Sequence, residues 1–294
     1  MTVFLVSSED AASVNIRDRL LEEGRWESIG AFEGSEIYLL EDIVMVQKKG
    51  MHLYFEDVDE EISNFIRREH PDIIGRISSG EYPLDLLVFL SKHRSEMDIR
   101  SLTVHPPGNF NSADYGGEPG YLPPSAPLAM TAALKSLYAE KRRIGLKDRT
   151  TYEVTHHGPR LSSPSFFIEI GSNESRWGIG ELARPIAGAL LSKDFRTPRD
   201  DLPIAVGIGG GHYAPRFTDR AMRNKFAFGH MVPDYIMEGS NDLSVPIGLA
   251  VENTPGAECF FIHRSGRNEE LMDRVIEACD DIGLKIANRD DVEG

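Results

Sequence analysis

Thr2-Val3-Phe4-Leu5-Val6 and, a few residues on, Ala11 to Glu23 decide the fold class. The first is a short apolar run of strand length. The second carries Val14, Leu20 and Leu21 at helical spacing and stops at Gly24, so a strand feeding a helix is predicted. Outward from this pair the same order recurs. Ile37 to Val46 reads as one long strand or a hairpin, and Val58 to Arg68 as a helix ahead of Pro71. Strands are predicted at Asp72 to Ile77, Leu84 to Leu90, Leu102 to Val104, Tyr152 to Thr155, Phe166 to Ile170 and Ile204 to Ile208. Helices are predicted at Leu128 to Arg143, Ile179 to Lys193 and Asn268 to Ile282. Alternating strands and helices argue for an α/β class with a mainly parallel sheet covered on both faces. No repeat or clean boundary interrupts the chain, which predicts a single domain over 1–294 with a loop excursion at about 106–127, where prolines and glycines crowd.

The 294 residues, 40% hydrophobic and 27% charged, suffice for a sizeable core and exclude a disordered or disulfide-scaffold class. Forty-seven acidic side chains against 32 basic ones give a net charge of −15, which argues against indiscriminate binding to nucleic acid. The apolar start is too short for a signal peptide, and no run of eighteen apolar residues occurs, so a soluble intracellular protein is expected. Cys259 and Cys279 form no CxxC pair. Any metal is expected on histidine and carboxylate ligands.

Nine histidines are present, and several close a strand-like run: His93, His105, His156 with His157, His212 and His230. In open α/β sheets ligands bind beyond the carboxyl ends of strands, so such residues converge from distant positions. Each could also be an ordinary hydrogen-bonded loop residue. Adjacent His156 and His157 reach one site only if the chain turns, which Gly158-Pro159 supplies. Glu169 interrupts the apolar run Phe166-Phe167-Ile168 and Ile170; a carboxylate there must be paired, with an arginine or with a metal. The loop Gly207-Ile208-Gly209-Gly210-Gly211-His212 matches neither the dinucleotide fingerprint nor the phosphate loop. Its amides at Gly209, Gly210 and Gly211 suit an oxyanion or a close backbone approach beside an imidazole. Neither a serine-hydrolase elbow nor an HExxH helix occurs. The residues alone favour an α/β metal hydrolase, of an ester, a peptide or an amide, with a metal-binding module as the non-enzymatic alternative.

The motifs Val154-Thr155-His156-His157-Gly158-Pro159, Phe167 to Ser172, Gly207 to Thr218 and Leu102 to Pro106, with Ser91 to Ser95 and the early Ser8, Asp10 and Ala12, resemble the archaeal and plant type of D-aminoacyl-tRNA deacylase over nearly the whole chain. Lys92 stands where many members carry arginine. The resemblance implies hydrolysis of the ester between a D-amino acid and the 3′ end of tRNA, in the cytoplasm, which clears mischarged tRNA in translation quality control. It further implies two zinc ions per subunit, a monomer, and a three-layer α/β/α fold of the phosphorylase and peptidyl-tRNA hydrolase kind. Membranes and DNA are not expected partners. On this reading zinc is held by some of His93, His156, His157, Glu169 and His212, and His156, His157 and His212 serve catalysis.

The net charge hides its distribution. Residues 135–225 carry a balance of +6 and the remainder −21. Arg142, Arg143, Arg216 and Arg220 lie in the positive stretch and are candidates for contact with tRNA phosphates.

Overall fold

The computed structural model describes residues 1–73, 79–264 and 269–287. An eight-stranded sheet is built from β1 (Thr2–Ser7), β2 (Glu27–Phe32), β3 (Ser35–Leu40), β4 (Ile43–Lys48), β5 (Leu86–Arg94), β6 (Ser101–His105), β7 (Arg149–Tyr152) and β8 (Ser165–Ser172), in the order β2-β3-β4-β1-β5-β8-β6-β7. The core of this sheet, β4-β1-β5-β8, is parallel; β6 runs antiparallel to β8, and β2 and β3 are antiparallel neighbours at the other edge. Ile37 to Val46 is therefore a hairpin. Strands after residue 200, β9 (Ile204–Ile208), β10 (Ala227–Val232), β11 (Cys259–Ile262) and β12 (Lys285–Ile286), form a second, four-stranded parallel sheet.

Side chains alternate across a strand, and here both faces are apolar. Phe4, Val6, Val88, Leu90, Phe166 and Ile168 pack beneath α1 (Ala11–Glu23), α3 (Pro127–Arg143) and α4 (Gly180–Leu191). On the reverse face Val3, Leu5, Val44, Val46, Leu87, Phe89 and Phe167 meet α2 (Val58–Glu69). Full burial of each such side chain stabilises the fold by about 1.5–3 kcal/mol before entropy is charged against it. Asp10 caps α1 by accepting from the amides of Ala12 and Ser13. Among the described residues no helix is long and apolar enough to cross a membrane.

Three expectations change. One sheet was predicted and two are found, because periodicity marks a strand but not its partner: β7 ends at Tyr152, after which Glu153 bridges to Tyr213 and the amide of Thr155 donates to the Met231 carbonyl of β10. That segment ties the two sheets together. The strand predicted at Leu84 to Leu90 instead runs on through Ser91, Lys92 and His93, which places His93 inside β5. Asp72 and Ile73 are helical rather than extended, and 74–78 lie outside the described residues, as does Asn268.

The 106–127 excursion is a docked strap. Asn109 pairs with Tyr121, the Tyr121 hydroxyl donates to the Leu161 carbonyl at 2.6 Å, and the amide of Gly108 donates to the His157 carbonyl at 2.8 Å.

Candidate active site

Register sets the floor of the site. Ser91 of β5 and Thr103 of β6 both stand opposite Glu169 of β8, His93 stands opposite Gly171, and His105 opposite Phe167. Cross-strand partners share a face, and so do residues two apart. Ser91, His93, Thr103, His105 and Glu169 are thus on one side of the sheet. Gly171 leaves room for this, since a Cβ there would fall 2.5 Å from Ser101 Oγ and 3.5 Å from the His93 ring. The predicted convergence beyond the carboxyl ends of the strands is replaced by a cluster on a sheet face, in which the reversed direction of β6 brings His105 to Glu169.

The segment joining the two sheets supplies the rest. Glu153, fully buried, lies 3.3 Å from His93 Nδ1, 3.6 Å from His156 Nε2 and 3.4 Å from His212 Nε2. Glu169 lies 3.6 Å from both His93 Nδ1 and His105 Nε2; its partners are imidazoles and not an arginine. His157 has a φ of +28°, the predicted turn, and its ring centre comes within 4.2 Å of that of His156 and 5.1 Å of that of His105. All five residues expected to hold zinc, His93, His156, His157, Glu169 and His212, therefore meet in one cluster, together with two that sequence reasoning left out of the ligand set: Glu153 and His105. Glu153 carried the same signal as Glu169, a carboxylate inside an apolar run, and His105 ended a strand; both signals were legible.

Hydrogen bonds orient the rings. His156 Nδ1 lies 2.8 Å from the Val154 carbonyl, and His105 Nδ1 lies 3.3 Å from the Pro106 carbonyl. Each of these nitrogens must donate, so in the neutral ring Nε2 is an acceptor. It then faces another acceptor, a carboxylate oxygen. Among the described residues, His105 Nε2, both Glu153 oxygens, Glu169 Oε2 and His157 Nδ1 are buried without a hydrogen-bond partner. His93 differs: its Nε2 meets the Tyr213 hydroxyl at 3.1 Å and its Nδ1 faces the two carboxylates.

Electrostatics follow from this packing. Burial would raise the Glu153 pKa, but the imidazoles of His212, His93 and His105 packed around it outweigh burial and hold the carboxyl at about 2. Burial, reinforced by neighbouring imidazoles, pushes His156 and His157 well below the ordinary histidine value, so both are neutral at pH 7. At His105 burial pulls the other way from Glu169, and Glu169 prevails and raises the pKa.

Other expected residues lie elsewhere or are engaged. The Gly209 amide donates to the Val232 carbonyl at 2.7 Å and the Gly210 amide to Asp234 Oδ2 at 2.9 Å. The positive φ of both glycines turns the backbone beside His212. His230 is inside β10, its ring nitrogens 3.0 Å from Thr155 Oγ1 and 2.8 Å from the Pro123 carbonyl; it is structural. Arg142 and Arg143 end α3, where Arg143 pairs with Glu140. Arg216 and Arg220 lie on α5 (Pro215–Met222), directly after His212 and Tyr213, with Arg220 3.4 Å from Asp219.

Comparison with known proteins agrees with this architecture. A family model described as D-aminoacyl-tRNA deacylase matches residues 81–287. The D-aminoacyl-tRNA deacylase of Thermococcus kodakarensis is 32% identical over 97% of this chain and 98% of its own length. That of Pyrococcus furiosus is 33% identical at the same coverage, and that of Methanosarcina mazei 33% identical over 98% of this chain and 92% of its own. A crystal structure of a conserved protein of unknown function superposes with a TM-score of 0.84 at 30% identity, covering 100% of this chain and 96% of that one. These similarities do not favour the peptide-hydrolase or metal-storage alternatives. The chain belongs to the D-aminoacyl-tRNA deacylase family.

Proposed function

We propose that this protein hydrolyses the ester between a D-amino acid and the 3′ end of tRNA, in the cytoplasm and as a zinc enzyme. The observation that carries the site assignment is the set of buried imidazole nitrogens and carboxylate oxygens that face one another at 3.6 Å without a hydrogen bond between them. Such a set fits a bound cation, and imidazole with carboxylate is a zinc donor set. Ring nitrogens tied to backbone carbonyls, as in His156 and His105, are the usual support for zinc-binding histidines. Two groups with mutually close ligand atoms, His93-Glu153-His212 and His105-His156-His157, would hold two ions, with Glu169 beside both. Bound zinc supplies a Lewis acid and lowers the pKa of water towards roughly 7.

The chain's own residues orient the reaction. Neutral His156 and His157 offer lone pairs rather than protons, so neither is the acid that protonates the leaving ribose oxygen. His212 stands partly exposed at the mouth, 3.4 Å from ionised Glu153 behind it. With the Gly209 and Gly210 amides engaged, Gly211 is left as the backbone donor for the developing oxyanion. Gly209 and Gly210 are assigned instead to a wall, where close approach of backbone would exclude the side chain of an L-residue.

The test is release of free amino acid from D-tyrosyl-tRNA and L-tyrosyl-tRNA, before and after chelation and zinc add-back. Rapid release from the D-ester alone, lost on chelation and restored by zinc, is expected. Equal rates on both esters would remove the chiral reading. Full activity in chelator would remove zinc and leave an imidazole as general base.

A further inference from the structure

The two rims of the histidine cluster carry opposite charge. On the strap side Glu56 accepts from the amides of Gly117 at 2.8 Å and Arg160 at 2.6 Å, and Arg160 is neutralised by Asp57 and Glu118. That rim repels a polyanion. On the other side Arg149 opens β7, exposed, with its guanidinium 5.5 Å from the centre of the Tyr213 ring. Tyr213 in turn touches the cluster twice, through its hydroxyl to His93 Nε2 at 3.1 Å and through its ring, 5.4 Å from that of His212. Neighbouring arginines are tied down: Arg94 by Glu174, Arg100 and Arg176 by Asp148, Arg220 by Asp219. Arg149 pairs with no carboxylate among the described residues.

We propose that Arg149 binds the 5′ phosphate of the terminal nucleotide of tRNA while the ester on the same ribose lies over His93 and His212. This rests on the deacylase reading above. The physical reason is one of connectivity: phosphate and ester hang on a single sugar, so the cation that recognises the phosphate must stand within one ribose of the reacting carbon. Arg149, its guanidinium 5.5 Å from the centre of the Tyr213 ring, is held there by cation–π contact and carries five N–H donors suited to a phosphate. Sequence reading placed the phosphate contacts on Arg142, Arg143, Arg216 and Arg220; Arg149 is added to them by its contact with Tyr213, whose hydroxyl meets His93.

Three esters test it: D-tyrosyl-tRNA, 3′-O-D-tyrosyl-AMP and 3′-O-D-tyrosyl-adenosine, the last lacking the phosphate. Arg149→Ala should raise KM on the order of five-fold for the first two, in line with an exposed charge pair, and leave kcat unchanged. It should lower the salt dependence for tRNA by about one unit of slope. The adenosine ester should be hydrolysed as by the wild type, and Arg149→Lys should recover part of the KM. An equal loss on all three esters would overturn the proposal and make Arg149 a support for Tyr213; unchanged KM for the phosphorylated esters would also overturn it. If the wild type cleaves none of the three, the deacylase reading itself falls, and this inference with it.

Discussion

His52→Leu should relieve an acid sensitivity built into the floor of the site. His52 is buried in an aromatic box, its ring centre 5.4 Å from Phe89, 5.7 Å from Phe55 and 6.1 Å from Phe167, and Phe167 stacks on His105 at 5.0 Å. Burial lowers its pKa from 6.5 to about 3. The native ring is therefore neutral where the unfolded one is charged, and its contribution to stability is intact above pH 6.5. As pH falls below 6.5 the unfolded state gains a proton that the native state refuses, at about 1.4 kcal/mol per pH unit, until the native ring protonates near 3. Between pH 7.5 and pH 5 the loss is about 2 kcal/mol. His230, held at about 4 by burial, contributes a similar loss that the substitution leaves in place. Urea unfolding of wild type and His52→Leu at both pH values measures the difference. The stability of the variant relative to wild type should rise by about 2 kcal/mol on going to pH 5. A gap independent of pH would refute a neutral buried His52.

Two further outcomes follow from the same geometry. Glu153→Gln keeps the shape but removes the charge shared by His93, His156 and His212; kcat on D-tyrosyl-tRNA should fall by about 10²- to 10⁴-fold, the span of a lost acid–base group, with zinc content by elemental analysis falling alongside. Near wild-type turnover would take Glu153 out of the site. Gly117→Ala would place a Cβ 2.2 Å from the Gly158 carbonyl at a φ of +82°. Left-handed backbone alone costs a non-glycine residue roughly 1–2 kcal/mol, so a lower Tm and a displaced strap are expected, and an unchanged Tm would show that the strap is not clamped on the His157-Gly158 turn.

Much of the site was legible because its chemistry breaks local patterns. A carboxylate inside an apolar run, as at Glu169, must be paired in a buried strand, which marks the position without naming the partner. Adjacent histidines before Gly158-Pro159 need a turn, and His157 has it. Two pairs of residues show the limit. His93 and His230 both looked like strand ends, yet both lie within strands, one at the heart of the cluster and the other a structural hydrogen-bonding group. Glu153 and Glu169 gave one signal, and only the second was read. Of the three glycine amides offered as an oxyanion site, two have backbone or side-chain acceptors that no local pattern announces.

The sequence by itself determined the α/β class, the helix and strand periods, the pool of imidazole and carboxylate groups, and the family. These are properties of residue type and short spacing, which act within a few residues and survive without knowledge of the partner. Tertiary structure alone decided that the strands divide into two sheets, that β6 runs against β8, and hence that the histidines meet on a sheet face around Glu153. It also decided which arginine stands over Tyr213. Register, strand direction and the pairing of charges are set by contacts between segments distant in the chain, and those contacts are chosen by the packing of the whole core.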